Sequence, residues 1–408
     1  MTAVTTLTVA AFGVTACSSS SGGSNATGAV AGCTGNSTGV TKTGIKLGVL
    51  TVESGAAAQT FDGFQQGIQA RIDAQNAQGG VNGRKLSIVT ADDADSGSQQ
   101  VTSGEALVQN DGAFGVMAGT AVDTVFPYFQ QNDVPVTGLA TFSPYGSDNN
   151  VFGITGAYLG NLTPTVIPSY LKEHGITSVA VLAHDDPGSI GTQQAVIRAA
   201  KSLGMTVPYA PESIPLGAFD ATSVALALKQ SGAQAVVAPL LASSSVSIAQ
   251  AVKAQSVTGL KDQVYYSTYD PNVLHQADGA LNGTIADATS GAKPLQLSDP
   301  AVKQYLSTMQ QYGESAHANE TYAAIGYLAA GLFIHGLQLA GNCLTRQNFV
   351  TTLRNSSGWD ANGLAYYSVN FKPGLTPDGN PSPCQWFLNI ENGQFVPEAK
   401  ASCSQVEK

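Results

Sequence analysis

The chain has 408 residues, of which 43% are hydrophobic and only 11% charged; 18 Lys and Arg stand against 28 Asp and Glu, for a formal net charge of −10. That length accommodates two domains of ordinary size. An acidic, cation-poor surface argues against nucleic acid or anionic lipid as a partner, since both require clustered Lys and Arg.

The first residues, "MTAVTTLTVAAFG", carry no charge and are rich in Ala, Val, Leu and Thr. This run is shorter than the roughly 20 apolar residues a bilayer-spanning helix needs, and reads as the apolar core of an export signal over residues 1–16. Val14-Thr15-Ala16-Cys17 resembles a bacterial lipobox, which implies that Cys17 is lipidated. No Lys or Arg precedes Lys42, so the basic start of such a signal is missing and a start upstream of Met1 stays open. Residues 17–43 are dominated by Ser, Gly, Ala, Asn and Thr. Such a segment buries too little apolar surface to offset its chain entropy and reads as a disordered tether. No later segment runs 18 uninterrupted apolar residues.

"GIKLGVLTV" is a β-branched run, read as a buried strand over 44–52. Phe61, Phe64, Ile68 and Ile72 then recur at helical spacing, so 61–80 reads as an amphipathic helix closed by Gly79-Gly80. A turn at Asn82-Gly83 leads to a strand over 85–90, followed by helix 98–109, strand 113–118, helix 123–131 and strand 134–139. The alternation restarts with a strand over 178–183, a helix ending near Leu203, and strands over 235–239 and 263–267. Repeated strand–helix–strand units mean right-handed crossovers and parallel sheets. The fold class is therefore α/β, with two doubly wound lobes. In such sheets ligands bind beyond the carboxyl ends of the strands.

The ordered set "IKLGVLTVESGAAA", "IDAQNAQGGVNGRKLSIVTADD", "DVPVTGLATFSP", "NVFGI", "SVAVLAHDDPGSIG", "YAAIGYLAAGL" and "VNFKPGLTPDGN" resembles the type I periplasmic binding proteins of the branched-chain amino-acid and amide class. The resemblance spans residue 44 to about residue 396. It implies a first lobe of 44–150 and 293–375, a second of 158–288 and 384–403, and hinge crossings at 151–157, 289–292 and 376–383. Three chain passages bend but resist twisting, which suits closure around a ligand.

The resemblance also implies a ligand site. From the first lobe it draws Glu53 and Ser54 after the first strand, Thr120 after the third, and Leu139, Ala140 and Thr141 after the fourth. From the second it draws Asp185 and Asp186, Leu240 within the 240–243 loop, Tyr269 and Asp270; Tyr322 opens the "YAAIGYLAAGL" helix at the cleft. Other roles stand beside these: helix or turn capping for Thr120 and Thr141, a solvated loop for Asp185 and Asp186, an N-cap before Pro271 for Asp270, and core packing for Tyr322. Two family features are altered. The loop after the first strand reads "SGAAAQTF", with Thr60 and Phe61 where a tyrosine is usual, and the aspartate loop continues "DDPGSIG" without a tyrosine–glycine pair. Both changes touch groups that wrap the ligand in amino-acid binders.

No GxGxxG, Gly-Lys pair or HExxH occurs. His184 and Asp185 are adjacent, but neighbours on an extended stretch point apart, which disfavours a dyad. An enzyme is not expected, nor a cofactor or metal. With Cys17 lipidated, four cysteines remain, compatible with three disulfide connectivities. The family topology implies Cys33–Cys343 and Cys384–Cys403. The expectation is a monomeric, extracytoplasmic, lipid-anchored solute receptor delivering a small polar molecule (an amino acid, amide or related small acid) to an ABC permease and its ATPase. A ligand-sensing module coupled to a signalling partner is the alternative. Neither reading involves nucleic acid, and the membrane enters only through the anchor.

Overall fold

The computed structural model describes Met1 and residues 37–157, 166–211, 214–288, 291–366, 368–371 and 384–404. The export signal, Cys17, Cys33 and most of the tether lie outside these residues.

The first sheet contains β1 (Gly44–Thr51), β2 (Lys85–Asp92), β3 (Val116–Gly119), β4 (Val136–Gly138) and β5 (Val151–Gly153), in the order β2-β1-β3-β4-β5. All its pairings are parallel. β1 is nearly all apolar because both its faces are covered. Ile45, Leu47 and Val49 pack in one core with α1 (Phe64–Ala77) and α11 (Thr321–Ala340). Leu50 enters a second core with Leu107, Val125 and Phe129 from α2 (Gly97–Gln109) and α3 (Phe126–Gln131). The strand order reverses at β1, so the crevice for a ligand opens beyond the ends of β1 and β3.

The second sheet runs β6 (Val179–Val181), β7 (Ala235–Ala238), β8 (Asp262–Tyr265) and β9 (Ile285–Ala288) in parallel, then the antiparallel β10 (Cys384–Glu391) and β11 (Gln394–Pro397). Bridges from Ser178 to Thr206 and from His184 to Ile214 add a parallel segment on the free side of β6, which repeats the order reversal of the first lobe. Between these strands lie α6 (Pro187–Ser202), α7 (Ala221–Ser231), α8 (Ala242–Ala254) and α9 (Pro271–Gln276). β12 (Ser402–Cys403) pairs with the start of β10, and a disulfide joins Cys384 to Cys403. Cys343 is also disulfide-bonded; Cys33, its expected partner, is outside the described residues.

Strand ends differ from the sequence expectation by one to three residues. The helix expected to begin at Phe61 begins at Phe64, because Gly63 takes a left-handed φ of 82° and breaks the turn before it. Val151–Gly153, expected in the first crossing, is hydrogen-bonded to β4 as an edge strand, with Val151 and Phe152 buried. β9 stays in the second sheet, and Ala292 already pairs with Ala365 of the first lobe. Residues 289–290 and 376–383 of the expected crossings are not among those described, nor are 158–165 of the second lobe and 372–375 of the first.

α11 is long and apolar enough to cross a membrane by composition alone, but most of it is buried against α1, α12 (Arg346–Arg354) and the first sheet. An all-round apolar helix is what a central core position requires. It meets α1 at backbone distance. A Cβ on Gly67 would lie 1.8 Å from the Ala323 carbonyl oxygen, and one on Gly326 would lie 2.0 Å from that of Phe64.

Candidate ligand cleft

The loop leaving β1 turns back across the strand ends and places Phe61 beside Tyr322, at the first turn of α11. Their ring centroids are 4.4 Å apart. Val52, Ala57 and Phe61 form a small buried cluster, against which Ala121, Tyr322 and the second-lobe residue Leu241 pack. Both lobes thus contribute to one apolar floor.

Three spaces that share lining residues surround that floor. The largest, about 660 Å³, is lined by Glu53, Gln59, Phe61 and Asp62 on one side and by Asp270 and His275 on the other. A second, beneath Thr120, Leu139 and Thr141, measures only about 10 Å³, being filled by Phe61, Phe142, Tyr145 and Tyr322. The third, about 30 Å³, lies between Thr60, Ser267, Tyr269, Asp287 and Tyr322; it holds about one water-sized group. No Lys or Arg lines any of the three among the described residues.

The residues named from sequence fall into distinct environments. Glu53 is exposed in the large space, and its N–H donates to Asp92 at 2.9 Å. The Ser54 hydroxyl donates to the same carboxylate at 2.5 Å, inside the first lobe. Burial pushes the Asp92 carboxyl up, but the bonds from Ser54, Glu53 and Ala94 outweigh it and hold the group below its ordinary range. Thr120 directs its hydroxyl at Asp93 and accepts from Gln100 at 2.7 Å. Thr141 turns its hydroxyl to the Leu139 carbonyl, 3.4 Å away. Leu139 lines the smallest space, and Ala140 packs beneath it in the first-lobe core.

In the second lobe, Asp185 is exposed and accepts the Leu216 N–H at 3.1 Å, whereas its neighbour His184 is fully buried with Nδ1 against the Ile214 carbonyl. Asp186 caps α6 through the Ser189 N–H at 2.9 Å. It also faces Asp95 of the first lobe, whose carboxyl is raised by burial and then by this like charge. Leu240 is buried in the second-lobe core, and the adjacent Leu241 supplies the cleft contact. Asp270 caps α9, accepting from the N–H groups of Asn272 and Val273, and also lines two of the spaces. Its capping role and its place at the cleft coexist.

Tyr269 reaches across to the first lobe. Its hydroxyl donates to Gln296 at 2.6 Å and accepts the Leu295 N–H at 2.8 Å, and its carbonyl accepts from Thr321. Gln59 donates to Gln276 at 2.8 Å, and Asn272 to Glu320 at 3.2 Å. Together these bonds bridge the lobes along one edge. Asp62, His317 and Glu320 bring ligand-type atoms within 4.8 Å of one another, but Glu320 is engaged by His317 at 2.8 Å and by Asn272.

Sequence reading passed over Asp287. It lies in β9, 1% exposed; one carboxyl oxygen accepts from Gln385 and the other has no partner. Burial pushes its carboxyl up to about 8, against the smaller opposing effect of the Gln385 bond.

Two doubly wound lobes, bridged at one edge and meeting over a shared floor at their strand ends, define the type I periplasmic-binding-protein fold. The periplasmic binding protein family profile matches residues 44–394, and the chain belongs to that family. A curated amino acid binding protein of Pseudomonas aeruginosa is 26% identical over 203 residues, covering 47% of this chain and 52% of the relative. The chain thus spans about half the length of that relative. Among solved structures, the leucine binding protein LivK of Thermotoga maritima is 16% identical with a TM-score of 0.73, covering 88% of this chain and 98% of that one. A fatty acid ABC transporter substrate-binding protein of Thermomonospora curvata is 19% identical with a TM-score of 0.74, covering 91% and 95%. At these identities the structural likeness concerns the fold. Family membership makes the protein an extracytoplasmic binding protein.

Proposed function

We propose that this protein is the lipid-anchored receptor of an ABC importer, which captures a small polar solute in the cleft by closing its two lobes and presents it to a permease driven by an ATPase. The observation that carries this reading is the floor of Phe61, Tyr322 and Leu241. Residues from two lobes meet there at the ends of their strands, so a solute on that floor touches both lobes and favours the closed state. The relatives named for amino acids and fatty acids support solute capture and leave its chemistry open. The bridging hydrogen bonds each contribute only about 0.5–1.5 kcal/mol net, somewhat more where Glu320 accepts, so closure responds to a bound solute. Cys17 would tether the body through residues 17–43; a lipid-modified Cys17 at the N-terminus of the membrane-bound protein is the mass-spectrometric result expected.

A thermal-shift screen against amino acids, amides, small acids and amines tests the reading. A solute at 100 times its dissociation constant adds about 2.7 kcal/mol of stability. Phe61→Ala removes most of the floor and is expected to abolish that shift while leaving unfolding cooperative. An unchanged shift in Phe61→Ala would place the solute elsewhere.

A further inference from the structure

We infer that the solute bears a positively charged nitrogen, which docks on the Asp287 carboxyl at the floor of the cleft. The inference rests on the cleft being the solute site.

Three observations lead to it. The spaces around the floor are lined by Glu53, Asp62, Asp270 and Asp287, with no Lys or Arg among the described residues. An anionic solute entering there finds four carboxyl side chains and no Lys or Arg to pair with, His275 being the one basic side chain in the lining. The first-lobe hydroxyls that could receive a carboxylate are also committed, Thr120 to Asp93 and Thr141 to the Leu139 carbonyl, and only about 10 Å³ is free beside them. Finally, Asp287 is almost wholly buried and keeps one oxygen without a donor, beside a space of about 30 Å³. A buried acceptor left unpaired is costly. One ammonium group fits that volume and supplies the missing donor and the countercharge together.

The proton balance follows from the surroundings of Asp287. Gln385 on β10 donates to it, Tyr266 approaches from the end of β8, and Tyr269, Asp270 and Tyr322 share the cavity. None of these carries positive charge near pH 7. Burial therefore keeps the empty site's carboxyl protonated at pH 7, with its pKa at about 8. When the ammonium arrives, the carboxyl proton leaves to solvent and the carboxylate accepts an N–H bond from the ligand. Affinity should then rise about tenfold per pH unit up to that pKa and level off above it.

Matched probes test this on the full chain: phenethylamine and isobutylamine, the carboxylates 3-phenylpropionate and isovalerate, and 2-phenylethanol. The expected result is a thermal shift with an amine, strengthening from pH 6 to pH 8 and weakened at least tenfold by Asp287→Asn. The pH dependence of the unaltered protein reads the same proton release if the variant does not fold. A response to the carboxylates alone would overturn the inference while leaving the cleft as the solute site. A response to none of the probes would overturn it as well and also count against the cleft. Amine binding untouched by both Asp287→Asn and pH would remove Asp287 from recognition.

Discussion

Asp287→Asn raises the stability of the solute-free protein, and the gain grows as the pH is raised from about 4 to about 8. The folded carboxyl has its pKa pushed up to about 8, whereas an unfolded aspartate titrates near 4. Between those values the unfolded chain has released its proton and the folded chain still holds it. Raising the pH therefore favours unfolding throughout this window. Below about pH 4 both states are protonated and the penalty vanishes; above about pH 8 it is complete. A difference of about four units corresponds to an upper limit on the order of 5 kcal/mol. Asparagine keeps an acceptor for Gln385 and removes the ionisable group. Thermal unfolding of both proteins at pH 5 and pH 8 measures the effect, and a variant less stable than its parent at pH 8 would contradict it. A group that destabilises the empty protein is retained for what it binds.

Gly326→Val has the opposite sign and a comparable size. The added Cβ would sit 2.0 Å from the Phe64 carbonyl oxygen, where no rotamer change gives relief, so α1 and α11 must separate. Overpacking of this kind costs about 1–3 kcal/mol or more, and the separation also uncovers the adjoining core. The expected fall in unfolding midpoint is about 10 °C. Because Phe61 precedes α1 and Tyr322 opens α11, solute binding should fall in parallel. Gly331→Ala, on the same helix, is the control: its Cβ would find nothing nearer than the Arg71 Nε at 3.9 Å, so stability should hold or rise slightly. Equal losses in the two variants would show that the helix crossing is not the cause.

Much of this was legible from sequence. Apolar β-branched runs such as 44–52 and 235–239 can only be covered strands, and Asp270 before Pro271 announces the cap of α9. The hairpin about residues 391–394 brings Cys384 beside Cys403, as expected. The lobes themselves followed from the alternation of strands and helices.

What stayed hidden depends on contacts between distant segments. Asp287 looks like one polar residue in an ordinary strand; its burial requires β10, about a hundred residues later, to pair beside it. Thr120 looks free to bind a ligand until Asp93 and Gln100 converge on its hydroxyl. Within the 240–243 loop the cleft contact falls to Leu241, while Leu240 joins the second-lobe core. Phe61, read as the first apolar residue of a helix and as a departure from a tyrosine, gains its place through the left-handed turn at Gly63.

The most direct test of closure on a solute is the distance between lobes. Fluorophores placed at Ser307 on the outer helix of the first lobe (α10, Pro300–Gln311) and at Lys229 on α7 of the second, both exposed, report it by energy transfer. A solute identified by thermal shift should narrow the distance distribution and move it to shorter values, and Phe61→Ala should abolish that response. A solute that stabilises the protein yet leaves the distribution unchanged would contradict capture by lobe closure.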